Sequence, residues 1–167
     1  MHLSTGPSIA FWMLASVAVT SAVAVITLRD MFRAALFLVV TFLSIAGLYV
    51  TLNADFIAAV QVLIYAGAIS VLLIFAVLLT RDMQQGNPSN RLTKPAVFLG
   101  GVLLSTLIVV ITNTKWRLSH EAPITNTTGA LADTLFTDKF VLPLEIAAVL
   151  LLAAMIGAVV IAKGREN

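Results

Sequence analysis

The 167-residue chain contains no cysteine. That absence excludes disulfides, thiolate nucleophiles and iron–sulfur ligation by the chain itself. Charge is also scarce: Asp, Glu, Lys and Arg together make up 11% of the residues, against about 25% in soluble domains. The net charge is only +2, and no basic stripe of the kind that binds nucleic acid occurs. Histidine occurs twice, at His2 and His120. Both lie in mainly polar stretches, far apart, so neither offers a paired haem or metal site, and both are expected to face solvent. The first basic residue, Arg29, follows the first apolar run. A positive n-region is therefore missing, and no secretory leader is expected.

What is abundant is apolar surface, at 60% of the residues. A soluble core of this length could not hide so much, so lipid must be the solvent for much of the chain. Five segments reach membrane length: 8–28, 34–52, 56–80, 96–114 and 141–162. At about 1.5 Å per residue, roughly 20 residues cross the hydrocarbon layer. The third run is longer, which allows tilt or a local irregularity. The expectation is an all-α integral membrane protein, a single membrane domain over residues 1–167, with an external loop over 115–140 that holds a short helix near 130–136. Trp116 reads as an interfacial anchor. On one side of the membrane lie Arg29, Arg33, Arg81, Arg91, Lys94, Lys163 and Arg165, and on the other Lys115, Arg117 and Lys139. Seven against three puts the N-terminus outside and the C-terminus inside. Asp55 is expected to cap the third span at its N-terminus, and Arg81 to suit its C-terminus.

Lipid gives helices no hydrophobic drive to associate, so small residues mark close contacts. The fifth run carries Ala154, Ala158 and Ala162, with Ala153 and Gly157 beside them; the fourth carries Gly101 and Ser105. Five spans with so little mass outside the membrane suggest one subunit of a hetero-oligomer.

The third run, "FIAAVQVLIYAGAISVLLIFAVLLT", has no charge but holds an amide and a phenol at its middle. At about 100° per residue, Ala58, Gln61, Tyr65, Ala68 and Leu72 share one face, and Gln61 and Tyr65 can touch. A buried amide without a partner costs about 1–3 kcal/mol, so Gln61 must find a bond. Two readings stay open on the residues alone. One is an interhelical hydrogen bond by Gln61 beside a packed Tyr65. The other is a hydrated stripe on a proton path.

The stretch "AAVQVLIYAGAISVLLIFAVLLT" closely resembles the third span of subunit J of respiratory complex I, the proton-pumping NADH:quinone oxidoreductase. The tail "VLPLEIAAVLLLAAMIGAVVIAKG" is similar to that family's last span. The resemblance implies a π-bulge in the third span, able to switch between π and α winding. Gly67 suits such a change because it weakens a helix by about 1 kcal/mol relative to Ala, and Ala66 and Ala68 leave room to rotate. One residue more or less turns the downstream half by roughly 100°. Tyr65 then stands at a gate on a proton path, with Gln61 as its polar neighbour. Some family members carry a carboxylate where Gln61 stands. An amide holds no transferable proton, so here the proton must pass by water or through another subunit's carboxylate.

Glu145 is the one acid inside an apolar run. It invites a proton-path role by default, but it follows Pro143 near the start of the fifth span, where helix-end stabilisation or a subunit contact is the plainer reading. The resemblance further implies a non-redox subunit of the translocase in a bacterial inner membrane, with other complex I membrane subunits as partners. No cofactor belongs to this chain; NADH, FMN, iron–sulfur clusters and quinone sit on other subunits. Two alternatives compete: a small subunit of a multisubunit sodium/proton antiporter, and a purely structural packing subunit.

Overall fold

The computed structural model describes residues 5–80, 92–115 and 127–163. Among these no strand occurs, and five helices are long and apolar enough to cross a membrane. They run Thr5–Thr27, Met31–Thr51, Asp55–Leu79, Thr93–Asn113 and Val141–Ala162. The five expected spans are all present, the fifth with the expected bounds. A short helix, Thr127–Leu135, precedes the fifth span, slightly earlier than expected. Arg81, Trp116, His2 and His120 lie outside the described residues. The chain forms two compact units, Met1–Pro123 and Ile124–Asn167.

In the first unit, two tight turns make the first three spans antiparallel neighbours. Asp30 shapes the first turn. Its carboxylate accepts hydrogen bonds from the Phe32 and Arg33 backbone N–H groups at 2.9 and 3.2 Å. That caps the second span and draws Met31–Arg33 into the helix, three residues ahead of the apolar run. Asn53 shapes the second turn, in a left-handed conformation with φ of 58°. The Asn53 N–H donates to the Val50 carbonyl, and the Ala54 N–H donates to the Tyr49 carbonyl. This 5→2 and 6→1 pair is the Schellman helix ending, with Asn in the place glycine usually takes. Asp55 does not cap the third span as expected. Ala54 holds the cap position, without a side-chain bond, and Asp55 lies in the first turn, where its charge still suits the helix dipole.

The core of this unit is built from small and polar side chains. Its buried residues are Ala34, Ala35, Ala46 and Ala58, with Ser21, Thr41, Ser44, Gln61 and Ser70. Large apolar side chains point outward, the inverse of a soluble protein, because lipid rewards close backbone approach and not apolar burial. Thr41 Oγ1 donates to Ser21 Oγ at 2.9 Å, joining the first two spans. Gly47 lies close to Leu14: a Cβ added there would come within 2.9 Å of its Cδ1.

Among the described side chains the fourth span has no buried residue, nor has the fifth. The small residues expected to mark contacts there are uncovered: a Cβ added at Gly101 or Gly157 would meet nothing within 4 Å.

Candidate functional site

The third span does not wind uniformly. Asp55–Val60 is α-helical, Gln61–Ile69 is π-wound, and Ser70–Leu79 is α-helical again. The nine π residues, "QVLIYAGAI", contain every position singled out in the sequence as gate material. This is longer than the single turn of most π-bulges. The residues on either side, Val60 and Ser70, keep ordinary right-handed dihedrals, and no non-glycine residue of the segment has a positive φ.

Wider winding breaks the arithmetic of 100° per residue. Ala58 and Gln61 are buried, as a shared face required, but Tyr65 is 44% exposed, and Ala68 and Leu72 are exposed too. The expected common arc therefore splits at the start of the π segment. The next buried position downstream is Ser70.

Gln61 is 8% exposed, yet among the described residues its amide has no hydrogen-bond partner. The expected interhelical bond is not made among the described residues. Among the described residues no side-chain nitrogen or oxygen is both fully buried and unpaired, so the amide keeps a narrow opening to its surroundings. It can meet water or a polar group of another chain there.

Tyr65 packs its ring against Phe42 of the second span. The centroids lie 5.5 Å apart with the planes at 66°, an edge-to-face contact. Its hydroxyl makes no hydrogen bond among the described residues. Ala66 and Gly67 are half-buried. A Cβ added at Gly67 would stand 3.3 Å from the Val62 carbonyl oxygen, five residues back. Any side chain at 67 therefore presses on the backbone of the π turn itself.

Two participants escaped sequence reading. Phe42 lies in an ordinary apolar run, and nothing in its spacing marks it. Ser70 follows Tyr65 by five, a spacing that means nothing in an α-helix; its hydroxyl donates to the Tyr65 carbonyl at 2.7 Å.

Glu145 belongs to the second unit. It is the fifth residue of its helix and exposed, and the first turn holds no acid. The helix dipole acts chiefly within the first turn, so helix-end stabilisation fits poorly. Among the described residues it has no ion pair, the one such pair joining Arg33 to Asp30.

The sequence pattern of the family described as NADH-ubiquinone/plastoquinone oxidoreductase chain 6 matches residues 21–161. NAD(P)H-quinone oxidoreductase chain 6 of Leptolyngbya boryana is 39% identical over 98% of this chain and 83% of its own. The chain 6 protein of Synechocystis is 37% identical, over 98% and 84%. The F(420)H(2) dehydrogenase subunit J of Methanosarcina mazei is 40% identical, over 94% and 91%. The chain is thus a multi-pass membrane protein that belongs to the chain 6, or subunit J, family of NADH-quinone oxidoreductase, the complex I membrane subunits.

Proposed function

We propose that this chain couples quinone reduction to proton translocation by gating a hydrated path at its π segment, and that it carries no redox group of its own. One observation carries the reading. The π winding coincides with Gln61, Tyr65 and Gly67, the residues able to present hydrogen-bonding groups and to tolerate rewinding. Removing one residue's worth of winding turns the downstream half by about 100°. That changes which groups face the path and makes or breaks a chain of water. Tyr65 both donates and accepts hydrogen bonds and so orients water. Gln61 holds a water or a partner's polar group at its opening.

Two supports stand beside the geometry. The relatives are named for different donors, NAD(P)H and F(420)H(2), yet their identities to this chain run only from 37% to 40%. A subunit that handled the donor should distinguish them more sharply. The uncovered fourth and fifth spans also suit burial among other membrane subunits. In this reading NADH or another donor, FMN, iron–sulfur clusters and quinone are held by those other chains. The assembly sits in a bacterial inner membrane, as cyanobacterial relatives suggest, with the N-terminus outside and the C-terminus inside. Glu145, unpaired and exposed, contacts a neighbouring subunit.

The test is proton pumping, with quinone reduction measured beside it, in assembled complexes carrying Tyr65→Phe or Gly67→Leu. The gate reading expects a lowered proton-to-electron ratio in both. Unchanged pumping and unchanged electron transfer in both would leave a packing subunit.

A further inference from the structure

Ser70 is the most deeply buried side chain among the described residues, at 1% exposure, and it sits where π winding returns to α winding. Its hydroxyl donates to the carbonyl of Tyr65, five residues back, at 2.7 Å. Other serine and threonine hydroxyls on the described helices donate three or four residues back: Ser16 to Met13, Ser44 to Val40, Thr106 to Val102. Those are the carbonyls an α-helix brings within reach of a γ-oxygen. The fifth carbonyl back comes within reach where the winding is wider. The Ser70 backbone N–H is shared between the Tyr65 and Gly67 carbonyls. One carbonyl, that of the gate tyrosine, therefore accepts both donors of a single residue.

We propose that Ser70 is a positioning residue that latches the third span in its π form through the Tyr65 carbonyl. This deepens the gate reading and rests on it. Rewinding to α must break the bond to Tyr65. The hydroxyl could then re-form a bond to the Ala66 carbonyl, so the latch is worth the difference between the two. The sign of that difference favours π, because back-bonding to the fourth carbonyl slightly destabilises and bends an α-helix. Burial adds to the effect. A side chain seated as tightly as Ser70 must leave its seat when its half of the span rotates.

The test is a density map of the assembled complex, with and without turnover, in which particles are sorted by the winding of this span. Ser70→Ala should raise the α-wound fraction relative to the π-wound one by about two- to fivefold, less than the roughly tenfold of a whole hydrogen bond, because the hydroxyl re-forms a bond in the α form. Ser70→Thr, which keeps the hydroxyl, should match the unaltered complex. Ser44→Ala, which removes a buried hydroxyl with an ordinary fourth-carbonyl bond, should also match it. If the unaltered complex shows both windings and Ser70→Ala leaves their ratio unchanged, the latch is overturned while the gate stands. If the unaltered complex shows only π winding and Ser70→Ala reveals α winding, the latch stands and the gate falls. π winding alone in both overturns latch and gate together. Should Ser70→Ala fail to assemble, Ser70→Cys replaces it, with a weaker donor of similar size and a shift in the same direction. Failure of both to assemble, with Ser70→Thr intact, assigns Ser70 to assembly and overturns the latch.

Discussion

The ring of Tyr65 meets the ring of Phe42 edge-on at 5.5 Å, and this contact ties the π segment to the second span. The second span has its other side on the first, through Thr41 and Ser21. Adjacent residues, Thr41 and Phe42, thus hold the two neighbours of one helix. Rewinding the third span would have to slide or break the ring pair. The second span is in this sense the fixed wall against which the gate turns.

Phe42→Ala removes that wall contact. An aromatic pair contributes about 0.5–1.5 kcal/mol beyond the area it buries. The expected outcome is an assembled complex with a lower proton-to-electron ratio and a slightly lower melting temperature. Phe42→Leu, which keeps apolar bulk but no ring edge, should recover the melting temperature more fully than the pumping. Thermal denaturation of the purified complex, alongside acid pulses in vesicles, checks both.

Gln61 gives a prediction of a different kind. Its amide makes no bond within the described chain, so Gln61→Leu strands no partner here and should leave assembly nearly intact. If the amide holds a water or another subunit's group at its opening, pumping should nonetheless fall to about half or less, one lost hydrogen bond being worth a several-fold change. Gln61→Glu should preserve pumping, because a carboxylate also binds water and can carry the proton itself. Full pumping in Gln61→Leu would remove Gln61 from the path and leave it a packed side chain.

How far these features were legible beforehand depends on what each one rests on. The spans were plain, because uninterrupted apolar runs of membrane length have few other uses. The fifth began where expected, at Val141. The second began earlier than its apolar run, because the Asp30 cap pulls Arg33 into the first turn, and capping is blind to hydropathy. The π winding was not written in any period. It came through the resemblance, and the shared face drawn at α pitch failed just where the pitch changes. Ser70 was invisible for the same reason. A hydroxyl five residues after a tyrosine has no meaning until the winding is known.

Asn53 tests the turn that sets the third span beside the second. Its left-handed φ of 58° costs an ordinary side chain about 1–2 kcal/mol, while Asn and Gly tolerate it. Asn53→Val should lower the melting temperature of the complex and its yield, with the proton-to-electron ratio of what assembles unchanged. Asn53→Gly should match the unaltered protein or slightly exceed it. Equal stability of the Val and Gly variants would mean that the ending is held by neighbours and not by the turn residue.

The Ser21–Thr41 bond offers a control that separates packing from gating. Hydroxyl pairs between membrane helices average about 0.6 kcal/mol in double-mutant cycles, with a maximum near 1.7. Each hydroxyl also has a carbonyl of its own helix within reach: Ser21 donates to Val17, and Thr41, whose single hydrogen points at Ser21, can turn to Phe37 instead. Removing one partner therefore leaves the other satisfied, which favours the low end of that range. Ser21→Ala, Thr41→Val and the double variant should give a coupling of that size in the stability of the complex. None should alter the proton-to-electron ratio, because the bond joins the second span to the first and involves no residue of the π segment. A pumping defect in Ser21→Ala without loss of stability would extend the proton path through the first two spans, and would make the second span a conductor as well as a wall.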